Sequence, residues 1–371
     1  MGMRTVKVML LGAAVALSMG AGQLRADVVS DRAAALLIWP DIYYEVGEVD
    51  TIVQVSNTSL EPVLLHCFYE NANLHCSSTG AVCERGETSE TECYSAAGKC
   101  EPGWLETDFR IRLTPRQPIG WLASEGLANG DLPLDGSFGN TGTGGASNAG
   151  TLIPPVAEEP YTGVLKCIAI NDDGTPTDRN VLKGESTAVY ENGDVTKHNA
   201  VGIQAIEGAV NDDKELILGG GDEEYNGCSN YLIVNHMFDL GIHPIVGEPS
   251  NTNIVLVPCT QDLLRQEPGS AVVQFLVYNE FEQRFSTSKT ATCKANWRLS
   301  EIDTNDPTRS IFSAGVAGTL VGQSRLRPIG SGMIAIANEA IGEGEGEDTY
   351  RSSFNVNVQG DRAESDVITI P

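Results

Sequence analysis

Along the chain, apolar residues recur with a period of two. Val49, Val53 and Val55 fall on one face of an extended segment, with Gln54 and Ser56 on the other. Asn57-Thr58-Ser59 then interrupts the run with side chains that bond their own backbone. After Glu61-Pro62 the alternation returns. Val63, Leu65, Cys67 and Tyr69 share one face of a second strand, and Leu64, His66 and Phe68 the other. Pro62 and the missing three-and-four spacing exclude a helix here.

The same pattern predicts strands through most of the sequence. Residues 31–45 contain a strand bent at Pro40. Phe109, Ile111 and Leu113 alternate with Arg110 and Arg112. Further strands are predicted at 162–170, 186–190, 201–206, 215–218, 231–238, 253–259, 291–299, 311–321, 333–337 and 354–358. Turn clusters such as NDDG at 171 and ENGD at 191 separate several of them. Residues 271–286 echo the opening unit, with Val-Val-Gln-Phe standing for Ile-Val-Gln-Val. The expected fold is all-β: two antiparallel β-sandwich domains, at 27–222 and 223–371. The first carries a Cys-rich insertion at 76–103 and a glycine-rich loop at 128–152.

The strand, Asn-Thr-Ser turn and Pro-Val strand over residues 50–67 resemble the immunoglobulin-like modules of uncharacterised exported bacterial proteins. The resemblance covers little more than those two strands. It implies an Ig-like sandwich and carries no activity.

The N-terminus reads as a secretory signal. Arg4 and Lys7 precede the apolar run 8–17, and Leu24-Arg25-Ala26 offers a cut after Ala26. The signal would occupy 1–26 and leave the remainder secreted, periplasmic or on the cell surface, with no membrane span. The 371 residues hold 24 Lys and Arg against 50 Asp and Glu, a net charge of −26. Removing the signal makes the balance more negative still. Such a surface repels phosphate backbones, so nucleic acid is excluded as a partner.

Nine cysteines in an exported chain predict disulfides, with at least one left over. A two-residue turn at Asn71-Ala72 would set Cys67 opposite Cys76, with Cα atoms about 4.5 Å apart, within disulfide range. Asn71 suits that turn and Ala72 does not. Cys228 and Cys259 fall at the open end of another strand pair and are placed to staple it. Spacing alone leaves the remaining connectivity open.

Candidate chemistry is sparse. His66-Cys67 and His75-Cys76 offer four nitrogen and sulfur ligands, but neighbours in a strand point to opposite faces. Asp172, Asp173 and Asp178, in NDDGTPTD, carry hard oxygens suited to Ca²⁺, without the full twelve-residue loop. A plain acidic turn is the alternative. His236, near Asp239, is the best general-base candidate among five histidines. Gly-x-Ser-x-Gly and His-Glu-x-x-His are both missing. The glycine-rich loop lacks the lysine of a phosphate cradle. No catalytic set emerges, and no cofactor is expected beyond Ca²⁺. The leading expectation is an exported, non-enzymatic structural or binding protein of adhesion type, with a protein or glycan partner. The alternatives are a secreted carbohydrate-active or other hydrolase using carboxylates in a sandwich cleft, and a secreted metal-binding protein.

Overall fold

The computed structural model describes residues 31–84, 88–103, 105–127, 152–209, 211–238, 241–302, 320–342, 349–361 and 364–371. The signal segment, most of the glycine-rich loop and most of the predicted strand at 311–321 lie outside them.

The fold is nearly all β. The first half contains β1 (Leu36–Tyr44), β2 (Val49–Asn57) and β3 (Val63–Asn71). The Cys-rich insertion follows, with β4 (Leu74–Cys76), β5 (Val82–Cys83), α1 (Thr88–Ser95) and β6 (Cys100–Pro102). Then come β7 (Leu105–Leu113), β8 (Pro118–Leu122), β9 (Tyr161–Ile170), β10 (Leu182–Tyr190), β11 (Val195–Asn199), β12 (Val201–Ile203) and β13 (Glu215–Leu218). The second half contains β14 (Ser229–Met237), β15 (Gly241–Ile242), β16 (Pro249–Pro258), β17 (Gln261–Asp262), β18 (Ser270–Asn279), β19 (Arg284–Thr292) and β20 (Ala295–Arg298). After α2 (Leu299–Ile302) the chain adds β21 (Val321–Ile329), β22 (Met333–Ile341), β23 (Tyr350–Asn355), β24 (Asn357–Asp361) and β25 (Asp366–Thr369).

Two antiparallel sheets, in the orders β12-β1-β9-β3-β7 and β11-β10-β2-β8, build the first sandwich. Val53, Val55, Leu65, Cys67, Tyr69 and Trp121 meet in its core. The second sandwich pairs β19-β18-β21-β14-β24 with β15-β16-β22-β23, and β20 joins beside β16. Val234, Leu256, Val273, Phe275 and Leu326 fill that core.

Strands β1, β3 and β9 are apolar almost continuously because their sheet is buried on both faces. Leu37, Trp39, Leu165 and Tyr69 point into the first core. Leu36, Ile38, Phe68 and Ile168 point the other way, into a seam shared with Val257, Cys259 and Ile334 of the second half. A small sheet, β13-β25-β17, closes the seam with Leu216, Leu218 and Ile368. At about 1.5–3 kcal/mol for each large side chain buried, this seam is the main adhesive between the sandwiches. By contrast β18 alternates strictly, because its sheet covers a core on one side only.

Several expectations are corrected. Residues 67 and 76 do not face each other. Strand β3 pairs with β7 and β9, while β4 leaves the sheet and pairs with β5 and β6. Cys67 therefore lies opposite Cys167 and is bonded to it, with Cα atoms 4.1 Å apart. Cys76 bonds Cys93, and Cys83 bonds Cys100. The hairpin fails because Asn71 and Asn73 are bound by Glu158 Oε1, at 2.5 and 2.6 Å, which draws the chain out of the ladder. Cys228 and Cys259 are joined, and Cys293, buried, stands outside the disulfides. The echo at residues 271–286 has different connectivity. Strands β18 and β19 stay in one sheet, whereas β2 and β3 belong to facing sheets.

Candidate functional site

A polar cleft of about 460 Å³ opens where the two sandwiches meet. Its floor begins with the bend in β1. Pairing with β9 slips between Trp39 and Ile42, so Pro40 and Asp41 leave the regular ladder. A bulge of this kind re-aims a side chain. Asp41 Oδ1 accepts a 2.6 Å hydrogen bond from Lys294 Nζ, and Asp41 Oδ2 accepts one of 2.9 Å from Asn338 Nδ2. Lys294 also donates to Thr162 Oγ1 at 2.6 Å. Burial alone would raise the Asp41 carboxyl, but the Lys294 charge and these hydrogen bonds hold it below the usual range.

The outward face of β16 and its neighbours forms one wall. Asn253 lies opposite Asn338 on β22, and Asn338 opposite Ser353 on β23. This face reads as alternating amides and hydroxyls because it is covered by polar contacts, not by another core. The first sandwich supplies the facing wall, from Ser186, Tyr190 and His198. Strands β11 and β23 meet through Asn355, which accepts from Asn199 N at 3.2 Å and donates to Asn199 O at 2.9 Å. The Cys-rich insertion adds Leu74, Val82 and Glu84 as a third side.

Arg351 sits beside the opening. Its guanidinium lies 4.4 Å over the Tyr190 ring, and Nη1 is 3.8 Å from Asp194 Oδ2. That is ion-pair distance without a hydrogen bond, and Nη1 is buried with no hydrogen-bond partner. Asn253 Oδ1 is likewise buried and unpaired. Buried polar atoms are nearly always bonded, and these two lining residues each keep one polar atom without a hydrogen-bond partner in the protein.

Among the described hydrogen bonds, Ser186 and His198 do not complete a catalytic triad. Ser186 Oγ lies 2.9 Å from His198 Nε2 and 3.3 Å from Nδ1, a position near the ring edge between them. Ser353 Oγ is 3.3 Å from Nδ1. A triad needs a carboxylate bonded to the second ring nitrogen, and the ring's described hydrogen bonds go to serines. Burial pushes His198 down to about 4, against the pull of Asp41. Glu339 is raised by burial, and accepts from Met237 N at 3.3 Å and Thr252 Oγ1 at 3.4 Å.

The sequence-predicted residues lie elsewhere. Asp172 is exposed, 3.9 Å from Arg112 Nη1. Asp173 Oδ1 accepts from Thr175 N at 3.0 Å and Thr175 Oγ1 at 2.7 Å, closing a local turn. Asp178 Oδ2 meets Gly208 N at 3.5 Å. These three acids are not brought together, and among the described residues no cluster of His, Cys, Asp and Glu is arranged to hold a metal. Cys67 and Cys76 are spent in disulfides, while His66 bonds Asp108 at 2.9 Å and His75 bonds Glu158 at 3.0 Å. His236 is buried against Ser324, its Nε2 3.0 Å from that hydroxyl, and burial pushes it down to about 4, while Asp239 lies outside the described residues.

Sequence reasoning missed Asp41, Lys294, Asn253, Asn338 and Arg351. Pro40 inside an apolar run was the only sign of the bend. Nothing local links Asp41 to Lys294, 253 positions away.

No protein-family model matches the chain, and no curated protein matches it. Among the described residues no helix is long and apolar enough to cross a membrane.

Proposed function

We propose that this chain is an exported, non-enzymatic binding protein that holds a small, uncharged, hydroxyl-rich ligand of the sugar class between two Ig-like sandwiches. The observation that carries this reading is the pair of orphan polar atoms at the cleft, Asn253 Oδ1 and Arg351 Nη1. Asn253 and Arg351 stand two strands apart on one wall, and a ligand bearing several hydroxyls offers a donor to one and an acceptor to the other. The amide and hydroxyl lining offers further hydrogen bonds at low desolvation cost, and Tyr190 offers a ring. Clefts of this size at the junction of two bodies are common ligand sites. Asp41 is paired with Lys294, and burial makes His198 a weak base; Glu339, raised by burial, is the carboxyl the hydrolase alternative would use. Export is supported by four disulfides and by the signal-like residues 1–26.

The test is a thermal-shift and calorimetric screen of the mature chain against neutral mono- and oligosaccharides. At least one should raise the melting temperature, and Asn253→Ala should weaken its binding about tenfold, as expected for a lost hydrogen bond to a buried partner. Silence across the panel at millimolar concentration rejects the reading. So does turnover of a glycoside that is lost in Glu339→Gln, which would install the hydrolase instead.

A further inference from the structure

The second sandwich has another outer face, turned away from the cleft, on the sheet β19-β18-β21-β14-β24. Strand parity and register place Arg284, Arg325 and Arg327 on it. Tyr278 faces Arg284 on one side and Gln323 on the other, Leu276 faces Arg325, and Gln274 faces Arg327. Asn235 extends the Gln323 row onto β14, and Asn357 extends the Arg325 row onto β24 through Ile233. Ser286, Ser288 and Thr290 complete the β19 edge.

In a chain with 50 acids against 24 bases, the strand positions in register on this face include a single carboxylate, at its edge, and Glu282 stands in the turn before Arg284. The acid in register with it, Asp361, ends the edge strand opposite Ser229. Glu280, at the β18–β19 turn, is occupied by the Leu320 and Val321 N–H groups at 3.0 and 2.9 Å. Among the described residues no carboxylate pairs with any of the three guanidiniums. Arg325 lies 5.5 Å from the Tyr278 ring, and its Nε donates to Gln323 Oε1 at 2.9 Å, which fixes the head on the surface. Arg325 and Arg327, two residues apart on one strand, stand about 7 Å apart; Arg284 lies two strands away, about 10 Å across the sheet.

We infer that this face binds an acidic polysaccharide, one bearing uronate carboxylates or sulfate esters among free hydroxyls. The guanidiniums supply fork-shaped donors for the acid groups. The surrounding amides and hydroxyls outnumber them and match a chain that presents hydroxyls between its charges. A nucleic-acid backbone offers dense phosphates instead, and binding it requires many cations. Three arginines do not supply them. This inference uses a different face from the cleft and stands or falls separately.

The full mature chain is passed over immobilised alginate and dextran sulfate at low salt, with neutral dextran and duplex DNA as comparison surfaces. Retention is expected on at least one acidic polysaccharide, falling as salt rises, with none on neutral dextran. The two acidic arms tell carboxylate from sulfate. Arg325→Gln/Arg327→Gln should bind at least about tenfold more weakly at an unchanged melting temperature, while Asn253→Ala should bind as the parent does. If the double variant melts early, the single exposed Arg284→Gln is read instead, with the same direction expected. Lack of retention on both acidic polysaccharides overturns the inference, as does equal retention of parent and variants. DNA held as tightly as the polysaccharide removes the glycan assignment. A self-association that disappears in the variants gives the face to a second copy of the chain.

Discussion

The two sides of the junction between the sandwiches are made of opposite materials. On one side Ile168, Leu216, Val257, Ile334 and Ile368 form an apolar seam. On the other, Asn253, Asn338, Ser353 and His198 face each other across a polar cleft. Each side contains one buried lysine. Lys166 meets Glu70 at 2.9 Å with both side chains at most 1 % exposed, and also donates to Gln261 of the second half. Lys294 meets Asp41 at 2.6 Å, where the carboxylate is 19 % exposed and faces the cleft. Apolar burial is non-directional and supplies adhesion. Hydrogen-bonded pairs demand particular angles and so fix how the two bodies meet. The contrast separates an adhesive apolar side from an open polar side within one interface.

That separation can be broken most severely on the apolar side. Phe68 is fully buried in the seam. Phe68→Ala should cost about 3–5 kcal/mol, read as a lower urea midpoint. On the polar side, Lys294→Met strands the Asp41 carboxylate and should cost about 2–4 kcal/mol, discounted for the partial exposure of Asp41. The double variant Asp41→Asn/Lys294→Met should recover most of that loss. A double variant as unstable as the single one would show that packing by the lysine stem, not charge, is what matters.

Acid sharpens the comparison further. His198 and His236 are both pushed down to about 4 by burial. Between about 6.5 and 4 the unfolded chain binds protons that the folded chain refuses, so stability falls as pH drops through that window. Each histidine contributes up to about 3 kcal/mol of that loss. Asp41, held low, keeps its contribution above about 3.9, the unfolded value, and loses it only as pH falls further. Glu106 has the opposite sign. Burial first, then Asp108 and Glu70, raise it to about 7, so its contribution is lost as pH rises from about 4.3 towards 7. His66, lowered by burial, acts with the two histidines, while Asp50, Glu224 and Glu339, raised by burial, act with Glu106; the two deeply buried histidines carry the larger share, since the carboxylates are more exposed to solvent. The melting temperature should therefore fall between pH 6.5 and 4.5, and His236→Asn should flatten the slope.

How much of this was legible in the sequence depended on range. Period-two alternation gave the all-β class and located β2, β3 and β18 closely, because the signal lies within each strand. It failed where two elements decide together. Helix α1 has one buried residue, Cys93, and is held by the Cys76–Cys93 bond, so no apolar stripe announces it. Strand β21 carries Arg325 and Arg327 on its open face and Pro328 near its end, and alternation placed a strand at 311–321 in its stead. Pairing of Cys67 with Cys167 depends on β3 lying beside β9, which no local turn encodes. The cleft was invisible for the same reason. Its residues come from β1, β10, β11, β16, β22 and β23, and each alone reads as ordinary surface.

The smallest expected effect discriminates best between adhesion and reception. Asn253 Oδ1 makes no hydrogen bond within the protein, whereas Asn338 Nδ2 donates to Asp41. Removing an unpaired acceptor forfeits no bond, so Asn253→Ala should change stability by less than about 0.5 kcal/mol. Asn338→Ala takes a donor from a buried carboxylate and should cost about 1–3 kcal/mol. The two asparagines face each other across neighbouring strands, so the difference cannot come from location. If Asn253→Ala proves as damaging as Asn338→Ala, Asn253 is a structural member of the polar wall and the orphan pair loses its meaning as a mark of reception. If it is silent for stability while ligand affinity drops, the polar side of the junction is kept for what it binds, and the apolar seam alone accounts for how the halves stay together.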